Sequence, residues 1–258
     1  MLKLHIESGV GEVTQNTPRN YFAPKPITKS VTISPPKEEK KGVQKTPEPV
    51  TVSAMENAKT ISSKAIAEKC TTVEELREAV MNFTGCGLQK FATNTVFADG
   101  DYKSGIMFIG EAPGKNEDLQ GIPFCGASGK LLDLMLGGID LNREKAYITN
   151  TIFWRPPGNR KPTPEEVEIC RPFLKKHIAL VNPKILICVG ATATHAILDT
   201  QEGISKLVDK TFTYTNEYME KEVPVRALYH PSYLLRQPGQ KRHAWRTLLE
   251  IKEFLDAK

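Results

Sequence analysis

The chain has 258 residues, 40% of them hydrophobic and 25% charged, with a formal net charge of +5. The length suits one catalytic domain plus a tail, and no apolar run approaches the ~20 residues needed to cross a bilayer, which argues against a helical membrane span. The start, Met1-Leu-Lys-Leu-His-Ile-Glu7, has neither the apolar core nor the cleavage site of a secretory signal, so a cytoplasmic protein is expected. Residues 1–54 hold eight Lys/Arg and five Asp/Glu and so carry +3 of the +5. That charge permits nucleic-acid binding without demanding it. Cys70, Cys86, Cys125, Cys170 and Cys188 are odd in number and lack the spacing of a disulfide framework, so reduced thiols are expected.

In chain order, the segment from Asn16 to Val52 is rich in Pro, Lys, Thr and Ser and holds too few apolar residues to offset its ordering entropy. Residues 1–54 read as a disordered tail, either a tether for a partner or DNA phosphates or a solvated extension, and 55–70 as a linker or lead-in helix. The folded domain is expected over 71–258. It opens with Val73, Leu76 and Val80 at helical spacing, Thr71 or Thr72 as N-cap, and Glu74 and Glu75 in the first turn.

Four short apolar runs then predict buried strands: Gly105-Ile-Met-Phe-Ile109, Ala146-Tyr-Ile-Thr149, Lys184-Ile-Leu-Ile-Cys-Val189 and Val223-Pro-Val-Arg-Ala-Leu228. Helical patterns lie between and after them at about 128–138, 164–181, 190–198 and 240–256. Strand-then-helix alternation predicts an α/β fold, a three-layer α/β/α sandwich with a central, mainly parallel four-stranded sheet.

In such sheets ligands bind beyond the carboxyl ends of the strands. The first run leads into Gly110-Glu-Ala-Pro-Gly-Lys-Asn-Glu-Asp118 and Gly121-Ile-Pro-Phe-Cys-Gly-Ala-Ser-Gly129. The second ends in Asn150 ahead of Arg155-Pro-Pro-Gly-Asn-Arg160, and the fourth leads into His230-Pro-Ser-Tyr-Leu-Leu-Arg236. One rim thus gathers Glu111, Glu117, a phenyl ring, an amide and an imidazole. Phe124 can stack on a planar ring, Asn150 can donate and accept along an amide-like edge, and His230 can donate to an oxygen gaining negative charge. A pyrimidine base fits all three. Each residue is also at home elsewhere: a Phe after Pro in a core, an Asn after a strand in a turn, a His before Pro against a backbone carbonyl. Neither the dinucleotide fingerprint nor the P-loop spacing is present. Gly126-Ala-Ser128-Gly129 opens a helix and could bind a phosphate through backbone N–H groups or serve only as a cap.

These residues resemble the family 4 (type-4) uracil-DNA glycosylases, whose first motif is similar to the segment 110–118 and whose second is similar to the segment 230–236. The likeness also takes in segments 93–100, 121–124, 147–150 and 155–164, and so covers the chain from about Thr72 onward. It implies an N-glycosylase that flips uracil out of single-stranded DNA or a U·G pair and hydrolyses its glycosidic bond, starting base excision repair, as a monofunctional monomer. Carried over by position, Phe124 stacks on uracil, Asn150 reads its polar edge, His230 bonds its O2, and Gly110 lies against the base. Glu111 and Glu117 are the carboxylates available to stabilise the cationic sugar or orient water, and sequence does not rank them. DNA contacts are implied at Ser128, Arg155, Arg160, Leu234, Leu235 and Arg236, the leucines as a wedge and Arg236 on phosphate, with the alternative that one of the two leucines is packed at a helix start.

The resemblance implies a 4Fe–4S cluster held by four cysteines, but the matching positions here are Phe83, Cys86, Trp154 and Cys170. Two thiolates cannot supply a four-thiolate site, and Phe and Trp suit apolar filling of that space. No metal or cofactor is therefore expected. Two other readings compete with this one. Covalently trapped uracil-DNA binders carry Gln where this chain has Ala112, and an added basic loop with a His that it lacks. A non-catalytic DNA-binding module keeping the fold is the other, set against suitable residues at all the positions matching the base pocket.

Overall fold

The computed structural model describes residues 62–257. The expected tail and the first part of the 55–70 segment, residues 55–61, lie outside the described residues. Two helices come first, α1 (Ser63–Lys69) and α2 (Val73–Met81). Thr72 caps α2 by accepting the Glu75 N–H, and Val73, Leu76 and Val80 form its buried stripe. There follow β1 (Ala98–Gly100), β2 (Ile106–Gly110), α3 (Lys115–Gln120), α4 (Ala127–Gly137), β3 (Tyr147–Asn150) and α5 (Pro164–Val181). The chain ends with β4 (Ile185–Val189), α6 (Ala191–Leu198), β5 (Thr211–Tyr214), β6 (Val223–Leu228), α7 (Pro231–Arg236) and α8 (Lys241–Asp256). Thr163 and Glu166 form a capping box around Pro164, which fixes the start of α5.

The sheet has six strands in the order β1-β3-β2-β4-β6-β5. The middle four, β3, β2, β4 and β6, are mutually parallel, whereas β1 and β5 join the two edges antiparallel. The expected four-stranded sheet is thus corrected to six. Both additions are short edge strands, and β5 is open on alternate residues, so neither gives the continuous apolar run of a buried strand.

Successive residues on the central strands feed opposite cores. Met107, Ile109, Leu186 and Cys188 pack with Leu76, Val80, Phe173 and Ile178 of α2 and α5. Ile106, Phe108, Ile185 and Ile187 pack with Leu132, Leu136, Leu248 and Ile251 of α4 and α8. Helices therefore cover both faces, as an α/β sandwich requires. Among the described residues no helix is long and apolar enough to cross a membrane.

The chain order also places the site. From β2 the connection runs to β3 on one side; from β3 it returns through α5 to β4 on the other side of β2. A crevice forms where connections diverge in this way, between the carboxyl ends of β2 and β4.

Candidate active site

A cleft of about 500 Å³ opens at that point, within the usual range for a small-molecule site. Its walls come from the ends of all four parallel strands: Glu111 after β2, Asn150 ending β3, Thr192 after β4, and His230 after β6.

The floor is set by a close backbone approach. Gly110 and Asn150 are paired in register across β2 and β3, and a Cβ on Gly110 would collide with the Asn150 amide and the Phe124 ring. Phe124 is buried and takes a left-handed φ of 53°, a strained conformation for a bulky residue. Arg143 stabilises it by donating to the Pro123 and Phe124 carbonyls while paired with Asp99 at 2.6 Å and Asp133 at 2.9 Å. Gly129 completes the turn, since any Cβ there would run into the Phe124 carbonyl.

Asn150 is 2% exposed, and its Nδ2 has no hydrogen-bond partner among the described residues. A buried amide donor without a partner is costly, and such groups are rare outside functional sites. The ring of His230 lies 5.7 Å from that of Phe124, tilted by 31°. His230 Nδ1 accepts the Ser232 N–H at 3.1 Å and sits 2.8 Å from the Ser232 hydroxyl. An accepting Nδ1 leaves the proton of the neutral ring on Nε2. Burial holds the His230 pKa below its ordinary value, with Glu111 pulling it back upward, so the ring is neutral near pH 7.

The two carboxylates differ. Glu117 accepts the Gly114 N–H at 3.1 Å through Oε2 and the Gly126 N–H at 2.8 Å through Oε1, joining the starts of α3 and α4. Its negative charge suits both helix N-termini. Glu111 accepts only the Thr192 hydroxyl, at 2.6 Å on Oε2, among the described residues.

Of the expected DNA contacts, Ser128, Arg160 and Arg236 line the cleft. Arg160 is already bound by both Glu166 oxygens, at 2.8 and 2.5 Å. Arg155 does not line it: Nε donates to Asn159 at 2.6 Å and a guanidinium nitrogen lies 3.8 Å from Asp118. The expectation for Leu234 is corrected, because it is 1% exposed in the core beside α4 and α8 and cannot reach DNA, whereas Leu235 is 48% exposed. The phosphate cradle before α4 is also partly taken, since Glu117 uses the Gly126 N–H.

Thr192, Ser232 and Arg143 were missed. Thr192 directly follows a predicted strand and opens a helix, so the strand-end rule could have found it. The contacts of Arg143 with Asp99, Asp133 and two carbonyls span 44 residues at most and leave no local signal.

The residues matching the family's cluster do not fit one. Phe83 and Trp154 are stacked with centroids 6.2 Å apart, Phe83 meets Phe173 edge-on at 5.0 Å, and Trp154 Nε1 donates to Thr95 at 3.0 Å. Cys86 and Cys170 are neighbours and both are fully buried. All five cysteines are free, and no group of three or more His, Cys, Asp or Glu suited to a metal occurs among the described residues.

The profile of the Uracil DNA glycosylase superfamily matches residues 97–249. The chain is 42% identical over 171 residues to a type-4 uracil-DNA glycosylase of Archaeoglobus fulgidus, covering 65% of this chain and 85% of the relative. It is 37% identical over 188 residues to the type-4 uracil-DNA glycosylase of Sulfurisphaera tokodaii, covering 71% and 84%.

Proposed function

The chain belongs to the uracil DNA glycosylase superfamily, on its type-4 branch, and from that premise we propose that it removes uracil from DNA by hydrolysing the N-glycosidic bond. The observation that carries this is the unpartnered Asn150 Nδ2, buried in a cleft with Phe124 and a neutral His230. Uracil supplies what these groups lack: a carbonyl for Nδ2, an N–H for the Asn150 Oδ1, a face for Phe124 and a second carbonyl for His230 Nε2–H. A base inside a duplex cannot enter this cleft, so the nucleotide is flipped out, at least cost from single strands or U·G pairs. Leu235 and Arg236 support the gap left behind.

In the reaction the bond between C1′ and N1 breaks and its electron pair leaves with the base. His230 donates a hydrogen bond to the uracil O2, where that negative charge accumulates. The sugar becomes cation-like and faces the cleft carboxylates; water adds to C1′, and the proton it loses is balanced by protonation of the departed uracil anion, giving free uracil and an abasic site, the starting point of base excision repair. In this step water rather than a protein amine adds to C1′, so the phosphodiester backbone stays intact.

We further propose that this happens without an iron–sulfur cluster, because two of the four matching positions hold packed rings. Incubation with uracil-containing single-stranded and U·G oligonucleotides, followed by alkali, is expected to give strand scission at the uracil. Tight binding without scission would instead favour a non-catalytic DNA-binding module. Stoichiometric iron and sulfide in the purified protein would overturn the cluster-free reading.

A further inference from the structure

We propose that Thr192 is a positioning residue for glycosidic cleavage: it binds one oxygen of Glu111 and leaves the other free to face the charge developing on the sugar. This rests on the glycosylase reading above and adds to it a ranking of the two carboxylates. Glu111 is the first residue after β2 and Thr192 the second of α6, after β4, so the pair spans the crevice between neighbouring strands. The hydroxyl of Thr192 donates to Glu111 Oε2 at 2.6 Å, a charge-assisted bond between residues 81 apart in sequence.

Glu111 has no other hydrogen bond among the described residues, whereas Glu117 has a backbone N–H on each oxygen. Glu117 is thus held as a clasp between α3 and α4, and Glu111 keeps an oxygen with free lone pairs. A threonine hydroxyl has one proton to give, and giving it to Oε2 fixes which oxygen of Glu111 stays open. It also locks the side chain in one orientation before substrate arrives, which is the condition for electrostatic stabilisation without reorganisation. The other charged or titratable groups lining the cleft with Glu111 are Glu117 from α3, Arg160 and Lys161 ahead of α5, the neutral His230, and Arg236 on α7.

The test is single-turnover uracil release from a single-stranded oligonucleotide by the full chain, between pH 5 and 9, for wild type, Thr192→Val and Thr192→Ser. Losing a hydrogen bond to a charged group, Thr192→Val is expected to lower the plateau rate about tenfold or more with an unchanged half-saturating concentration. Thr192→Ser is expected to restore most of the rate. Wild-type behaviour in Thr192→Val, or equal impairment of the Val and Ser variants, would overturn the proposal while leaving the glycosylase reading intact. Wild-type protein that releases no uracil would overturn the glycosylase reading and this one with it. Should Thr192→Val not fold, Thr192→Ala compared with Thr192→Ser decides in the same way.

Discussion

Asn150 is the residue where stability and function diverge most plainly. Its Nδ2 is buried and has no partner among the described residues, so the fold carries a desolvation cost that a base bound as proposed would relieve. Asn150→Ala is therefore expected to leave the melting temperature unchanged or raised while lowering uracil release by about tenfold to a hundredfold, since a buried bond to the base is lost. His230→Ala removes the donor proposed to meet the leaving base and should cost about a hundredfold or more in rate. Its effect should fall on the chemical step. Thermal melting alongside single-turnover rates checks both; an Asn150→Ala protein that melts lower and cleaves normally would reverse the assignment.

At the scale of elements, α7 divides its apolar residues between two tasks. Leu234 faces the core built by α4 and α8, and Leu235 faces outward near the cleft. Leu234→Ala should destabilise the fold by about 2–5 kcal/mol, the usual cost of emptying a buried leucine site. Leu235→Ala should leave denaturant unfolding unchanged and weaken activity on U·G duplex more than on single strands, where no stack has to be held open. The split was not legible in the sequence, because Leu234 and Leu235 are adjacent and only the docking of the helix decides which is covered. By contrast, α2, α4, α5, α6 and α8 and the four parallel strands follow the apolar periodicity and capping residues closely. Strands β1 and β5 were illegible for the opposite reason: their pairing partners, β3 and β6, recruit them from segments with little apolar content of their own.

For the molecule as a whole, acid stability turns on His177, which is fully buried with its Nε2 2.9 Å from the Tyr147 hydroxyl and its ring stacked 4.4 Å from Phe97. Burial pushes its pKa down to about 3, against an ordinary value of 6.5. Between those values the unfolded chain binds a proton that the folded one refuses, so stability falls as pH drops below about 6.5 and the loss is complete near 3. This one group should steepen the decline by roughly 1.4 kcal/mol per pH unit. His177→Gln keeps a polar partner for Tyr147 and removes the titration, so its unfolding free energy between pH 6 and 4 should fall less steeply than that of wild type. Equal slopes would show that the proton is taken up elsewhere.

Much of the candidate site could be read from the chain alone, because its residues sit at strand ends and each brings a distinct chemistry: an amide at 150, an imidazole at 230, a phenyl ring at 124. The parallel sheet and its helices were likewise local matters of periodicity, punctuation and capping. Tertiary structure decided what depends on distance in sequence: the six-strand sheet, the bond from Thr192 to Glu111, the burial of Leu234, and the packing of Phe83 on Trp154. Each is a contact between segments that carry no mutual signal until the sheet closes and brings their ends together.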